Sequence, residues 1–226
     1  MNVETTPTAM DPKTLIARRV AQEIRPGTLV NLGVGLPSMV ANFVPSDRGV
    51  FFQAENGVIG LGARPPEGME DKNLTDAGGG FVSAVPGAAS IDSAMSFGLI
   101  RGGHLDMTVL GGLEVDERGL LANWKVPGRM VPGMGGAMDL VAGARRVVVA
   151  MQHSARGVSK VVPRCTLPLT ATRRVDLIVT DLAVIRPDAD GLTLLERAPG
   201  VSVDAVLAAT AARLAVPGDV PEMVFD

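Results

Sequence analysis

Apolar residues recur every fourth position at Ile16, Val20 and Ile24, and Leu15 widens the stripe. This spacing predicts an amphipathic helix over 12–25. Asp11 reads as its N-cap and Pro12 as its first residue, where a missing N–H costs nothing. Pro26-Gly27 ends it. The apolar period then shortens. Residues 28–33 (TLVNLG) form a predicted strand that runs into Gly33-Val34-Gly35-Leu36-Pro37, with a helix expected from there through Phe43. Residues 49–54 (GVFFQA) are a second strand, leading straight into Glu55-Asn56-Gly57.

The stretch 57–80 holds seven glycines with Pro65 and Pro66, and reads as loop. A helix is expected over 90–100, and a buried strand over 106–115 (DMTVLGGLEV). A second glycine-rich loop, 128–136, leads into a short helix at 137–142. Further strands are predicted at 146–151, 177–179, 183–186 and 192–196. Over 202–214, Val203, Val206, Leu207, Thr210 and Leu214 share one helical face behind a Ser202 cap. Helices alternate with strands early, and strand material dominates later. The expected fold is a single α/β domain, residues 11–226, with a mixed, mainly parallel sheet flanked by helices. Residues 1–10 read as a flexible start.

Composition narrows the chemistry. Glycine makes up 27 of 226 residues, above the usual ~7%. A hydrophobic fraction of 46% and a charged fraction of 20% suit a packed core rather than a disordered chain. The single cysteine excludes an internal disulfide scaffold and a cysteine-rich zinc site. A net charge of −3 and an aromatic fraction of 3% give no basis for nucleic-acid binding. No apolar run approaches the roughly 18 residues of a spanning helix, and no targeting segment is read. No membrane, metal or nucleic-acid partner is expected, and the expected compartment is the cytoplasm.

The glycine loop at 33–37 departs from the dinucleotide fingerprint, because Ser38 stands where a third glycine is required. The following helix could still offer N–H groups to a phosphate, and a plain strand-to-helix turn explains the same residues. Glu55 is unusual: a carboxylate between an apolar strand and Asn56-Gly57, a pair suited to a tight turn with positive φ. It is displayed much as a hydrolase displays its nucleophile, although a turn glutamate can equally be a solvated surface residue. Gly133-Met134-Gly135-Gly136 offers backbone N–H groups in a row, suited to an oxyanion or to a helix entry. His104 and His153 have no second histidine at metal spacing. His104 is expected to make a structural hydrogen bond, and no serine-hydrolase elbow accompanies His153. Cys165 is expected to pack as a small hydrophobe.

In order along the chain stand Asn31-Leu32-Gly33-Val34-Gly35-Leu36-Pro37, Glu55-Asn56-Gly57 and Ile100-Arg101-Gly102-Gly103-His104. They are followed by Ala122-Asn123-Trp124, Gly133-Met134-Gly135-Gly136-Ala137-Met138-Asp139-Leu140 and Cys165-Thr166-Leu167-Pro168-Leu169-Thr170. The ordered set resembles the B (β) subunit of 3-oxoacid CoA-transferases, from about Asp11 to Leu214. The resemblance implies a ping-pong transfer of CoA between succinyl-CoA, or another acyl-CoA, and a 3-oxoacid such as acetoacetate. Glu55 would be the catalytic residue, passing through a glutamyl-CoA thioester. The amide of Gly136 would be one oxyanion donor, and a partner A subunit would supply the other, in a heterodimer or heterotetramer. Asn31, Gly33, Gly35, Asn56, Gly57 and Gly135 match positions around CoA. CoA thioester is then a substrate, with no permanently bound cofactor.

Three positions depart from the family's usual pattern. Ala63-Arg64 follows Gly62 in place of Gly-Pro, Gly79 replaces a lysine, and Leu120 replaces an aspartate. Arg64 could stand in for the missing positive charge. Two other functions stay open on the residues alone. One is a non-catalytic CoA-binding regulatory subunit; the other is an NAD-dependent dehydrogenase, disfavoured by the failed spacing at Ser38.

Overall fold

The structure, a computed structural model, describes residues 10–128 and 133–225. The expected flexible start, apart from Met10, and positions 129–132 of the second glycine loop lie outside the described residues. In chain order the first elements are α1 (Pro12–Ala21), β1 (Leu29–Leu32), β2 (Phe51–Gln53), β3 (Val58–Leu61), β4 (Ala84–Ser90) and α2 (Ser93–Arg101). Next come β5 (Met107–Leu110), β6 (Glu114–Asp116), β7 (Leu121–Ala122), α3 (Ala137–Gly143), β8 (Arg146–Ala150), β9 (Ser154–Ala155), β10 (Val158–Ser159) and β11 (Val161–Val162). The chain closes with β12 (Leu177–Val179), β13 (Ala183–Pro187), β14 (Leu192–Arg197), α4 (Val203–Ala209) and β15 (Leu214–Ala215).

Among the described residues the main sheet has ten strands, ordered β15-β14-β13-β12-β8-β5-β1-β2-β3-β4. The five central strands, β12-β8-β5-β1-β2, run parallel. Antiparallel hairpins extend both flanks. The expected α/β domain with a mixed sheet is the observed one. Strand β8 shows how it is filled: Val147 and Val149 join one core, with Ile100 of α2 and Leu140 of α3. Val148 and Ala150 join the other, with Ile16 and Val20 of α1. A strand buried on both faces is apolar throughout, which is why β8 reads as a continuous valine run. No helix of the structure, over the described residues, is long and apolar enough to cross a membrane.

Element boundaries differ from the periodicity in six places. The first helix stops at Ala21, and Ile24 is buried in the turn that follows. The segment after Gly35 is a 3₁₀ helix, Leu36–Phe43, whose Ser38 N–H bonds the Gly35 carbonyl three residues back. Within the expected loop 57–80, β3 forms, and its Gly60 sits at a register shift against β4 with φ +87°. A glycine bulge in a strand reads as loop in sequence. Ser90 ends β4 rather than starting a helix; β4 is exposed along nearly its whole length, so no apolar alternation marked it.

The expected strand 106–115 breaks at Gly111-Gly112, where a Cβ on Gly112 would come 2.7 Å from the Met151 sulfur. The chain leaves the main sheet there and builds a second, three-stranded one, β11-β6-β7. Helix α4 begins after the Ser202 cap as expected, but it ends at Ala209. The Thr210 hydroxyl bonds the Val206 carbonyl, and Leu214 pairs in β15 against β14 instead.

Candidate active site

Strand β1 is a switch point: the chain passes from it to β2 on one side and, after a crossover, to β5 on the other. In open α/β sheets the crevice beyond the carboxyl ends of such strands is where ligands bind. Glu55 stands there, two residues past the end of β2. The turn that displays it is closed by Gly57 N–H to Ala54 O at 3.0 Å and Ala54 N–H to Val58 O at 2.9 Å. Positive φ falls on Gly57 alone, at +120°.

Gly57 tolerates no side chain, because a Cβ would sit 2.0 Å from the Ile91 carbonyl oxygen. Strain and clash together are expected to cost Gly57→Ala about 3 kcal/mol or more. Chemical denaturation would read this as a lowered midpoint with an unchanged slope. Asn56 is exposed, and its amide donates to the Thr75 carbonyl at 2.8 Å, tying the turn to the loop that follows β3.

Three strands supply a polar row beneath the carboxylate. Asn31 of β1 is in register with Gln53 of β2 and Thr108 of β5. All three are fully buried, as is Ser96 of α2. Buried polar groups of this kind demand partners, and they find each other. The Asn31 amide donates to Gln53 Oε1 at 3.0 Å, to the Gln53 carbonyl at 3.1 Å and to Glu55 Oε2 at 3.3 Å. Thr108 Oγ1 donates to Asn31 Oδ1 at 3.1 Å, and Gln53 Nε2 donates to Ser96 Oγ at 2.8 Å. Gln53, Ser96 and Thr108 were missed in sequence. Their one signal is a polar side chain inside an apolar strand or helix face.

The second glycine loop closes on the other side of Glu55. A Cβ on Gly136 would lie 3.2 Å from Glu55 Cγ and 3.4 Å from Phe97 Cζ, and one on Gly135 would lie 4.0 Å from Glu55 Oε1. Gly136 opens α3 with no side-chain cap. Helix α2 braces this loop: Arg101 Nε bonds Asp139 Oδ1 of α3 at 2.7 Å and its guanidinium lies over the Phe97 ring. Glu55, Asn31, Gly135 and Gly136 therefore converge.

Gly33 and Gly35 are not brought against Glu55 in the way Gly135 and Gly136 are. The Gly33 N–H bonds the Val109 carbonyl, and Gly33 lines a cleft of about 90 Å³ with Val34, Phe52, Ala54, Leu61, Asp76 and Val82 among its walls. Gly35 takes φ +87° in open space. Gly79 has φ +79° at the tip of a loop held by Asp76, whose carboxylate accepts from the N–H groups of Gly78 and Gly80. A lysine at that position would be strained, so the departure has a backbone reason. Arg64 is exposed on the neighbouring loop. Leu120 packs beside the second sheet, where its carbonyl accepts from Cys165 Sγ.

Two of the remaining motifs bond each other. Trp124 Nε1 donates to the Leu169 carbonyl, and the Asn123 N–H to Thr170 Oγ1, zipping 122–124 against 165–170. Burial, aided by the Asp116 and Glu114 carboxylates, pushes the Cys165 thiol up to about 12, so it stays protonated. His104 is exposed; the structural hydrogen bond expected there is made by its backbone N–H to the Leu99 carbonyl, and its ring makes none among the described residues.

His153 is fully buried between the hydroxyls of Thr180 and Thr210, and burial lowers its pKa against the opposing pull of Asp181. The unfolded chain therefore binds a proton there more readily than the folded one. Stability is complete above about pH 6.5 and falls below it, by at most about 1.4 kcal/mol per pH unit. In denaturation series between pH 7 and 5.5, His153→Gln should flatten that slope. Among the described residues no cluster of His, Cys, Asp and Glu could hold a metal ion.

A profile of the coenzyme A transferase family matches residues 13–209. The chain is 54% identical over 211 residues to the beta subunit of the acetate CoA-transferase of Escherichia coli, covering 93% of this chain and 96% of the relative. It is 48% identical over 202 residues to the B subunit of a succinyl-CoA:3-ketoacid coenzyme A transferase of Helicobacter pylori, covering 89% and 97%. Among solved structures it resembles an Escherichia coli acyl-CoA transferase apoenzyme with a TM-score of 0.78 at 24% identity, covering 97% of this chain and 44% of the other. It thus spans less than half of that longer chain, a likeness that speaks for the fold. The chain belongs to the coenzyme A transferase family.

Proposed function

We propose that this chain is the glutamate-bearing half of a two-subunit CoA-transferase working by covalent ping-pong. The observation that carries the reading is the Glu55 carboxylate, held by the Asn31 amide on one side and facing the Gly135-Gly136 backbone on the other. Glu55 attacks the thioester carbonyl of an acyl-CoA: a C–O bond forms, the C–S bond breaks, and CoA leaves as thiolate. The thiolate then attacks Glu55 Cδ of the mixed anhydride. The acyl group departs as a free carboxylate with one former glutamate oxygen, leaving a glutamyl-CoA thioester. The acceptor acid repeats the two steps in reverse, regenerating Glu55. No net proton is moved, and one hard exchange becomes several easier ones. Each tetrahedral intermediate carries an oxyanion, for which the Gly136 amide is a pre-set donor worth about 3 kcal/mol.

A partner A subunit completes the pocket, in keeping with the names of the relatives, each of which is called a beta or B subunit. Those names, acetate in one and a 3-ketoacid in the other, point to a short carboxylic acid as acceptor. Acetate and acetoacetate, each offered with succinyl-CoA, are the first pair to compare. The test of the mechanism is mass spectrometry of the two-subunit complex after incubation with acyl-CoA. The Glu55 peptide should gain the mass of CoA less water, and borohydride should cleave the adduct. An intact complex that transfers CoA without any adduct on this peptide overturns the reading.

A further inference from the structure

We propose that Thr108 is a positioning residue for Glu55, acting through the Asn31 amide, with Gln53 and Ser96 completing the device. The inference rests on the reading of Glu55 as nucleophile. Its basis is that the amide orientations in the buried row are forced. Asn31 Nδ2 faces three acceptors: the Gln53 carbonyl, Gln53 Oε1 and Glu55 Oε2. Turned over, Asn31 would aim its oxygen at all three. The Gln53 carbonyl can only accept and so sets the orientation, and the Thr108 hydroxyl, donating to Asn31 Oδ1, holds the amide from its far end. Gln53 is oriented in turn: its oxygen meets the Asn31 amide and its nitrogen donates to Ser96.

The consequence reaches the carboxylate. Glu55 stands on a turn and is half-exposed, and its carboxylate is bonded by the Asn31 amide of a neighbouring strand. The Asn31 amide anchors Oε2 and leaves Oε1 as the oxygen near the glycine loop. Ser96 and its neighbour Phe97 sit on α2, so one helix touches both the polar row and the Gly136 side of the site. Thr108 lies two strands away from the nucleophile and never meets it. It works by holding the Asn31 amide in place at its oxygen end, and precise placement of a reacting group is worth about 10²-fold per ångström of error.

The experiment compares Thr108→Val, which keeps the shape and removes the hydroxyl, with Thr108→Ser, which keeps the hydroxyl. Both are measured in the complex with the partner chain, following steady-state kinetics, the single-turnover rate of adduct formation on Glu55, and melting temperature. Thr108→Val should lower kcat and the adduct rate about tenfold while KM for the acyl-CoA changes less than twofold. Thr108→Ser should recover both rates to within about threefold of the parent. Should Thr108→Val not fold, Ser96→Ala takes its place, with the adduct rate expected to fall about threefold. A purely structural role would lower the melting temperature while leaving the rate per folded molecule intact. If the parent forms the adduct and the variant that folds forms it equally fast, the positioning role is overturned and the nucleophile stands. If the parent forms no adduct, the nucleophile reading itself has failed.

Discussion

Glu55→Ala yields a folded protein whose CoA transfer is reduced by roughly 10⁴-fold or more, the scale on which covalent enzymes lose rate when the nucleophile goes. Folding should survive because Glu55 is half-exposed, on a turn held by backbone bonds of Ala54, Gly57 and Val58. Asn31 is not orphaned either, since its amide still donates to both oxygens of Gln53. A melting temperature near the parent's, with no CoA adduct on the peptide, is the expected pair of results. Retained transfer at a tenth of the parent rate would mean that the carboxylate is not the attacking group.

Gly136→Ala is the second large effect, and it separates geometry from chemistry. The backbone at Gly136 has φ −82°, which alanine adopts without strain. The added methyl, however, would lie 3.2 Å from Glu55 Cγ, 3.4 Å from its Cβ and 3.4 Å from Phe97 Cζ. Those neighbours must each move by a few tenths of an ångström, and the one free to move is the nucleophile. A loss of about 10²-fold in kcat is expected, with a melting temperature within a few degrees of the parent. The effect should appear in both half-reactions, because each passes through the same carboxyl carbon. An unchanged kcat would show that the glycine loop is not pressed against a working Glu55.

Much of the scaffold was legible one segment at a time. The valine run of β8 and the apolar triplet of β12 stand out because strands buried on both faces carry apolar side chains throughout. The caps Asp11 and Ser202 were legible too, since each side chain accepts from an N–H three residues on. Strand β3 was hidden by its glycine bulge, and β4 by its exposure at the edge of the sheet. The break after β5 was equally hidden: Gly111-Gly112 matters because of Met151, a neighbour from another strand.

The site divides along the same line. Glu55 and its turn could be singled out locally, because Gly57 and the preceding apolar strand are adjacent to it in the chain. The glycine loop could be read as a row of backbone donors, but nothing in its own residues says that it faces Glu55. In the chain, Asn31, Gln53 and Thr108 are isolated polar residues in three separate apolar runs. Parallel pairing of β5, β1 and β2 in one register makes them a single hydrogen-bonded row. Chemistry carried by a short segment was thus determined by sequence alone: a carboxylate on a tight turn, a glycine nest, a two-faced apolar sheet. The orientation of that carboxylate was decided only by the tertiary structure, because parallel strands are joined by crossovers and their side-by-side residues are never close in the chain.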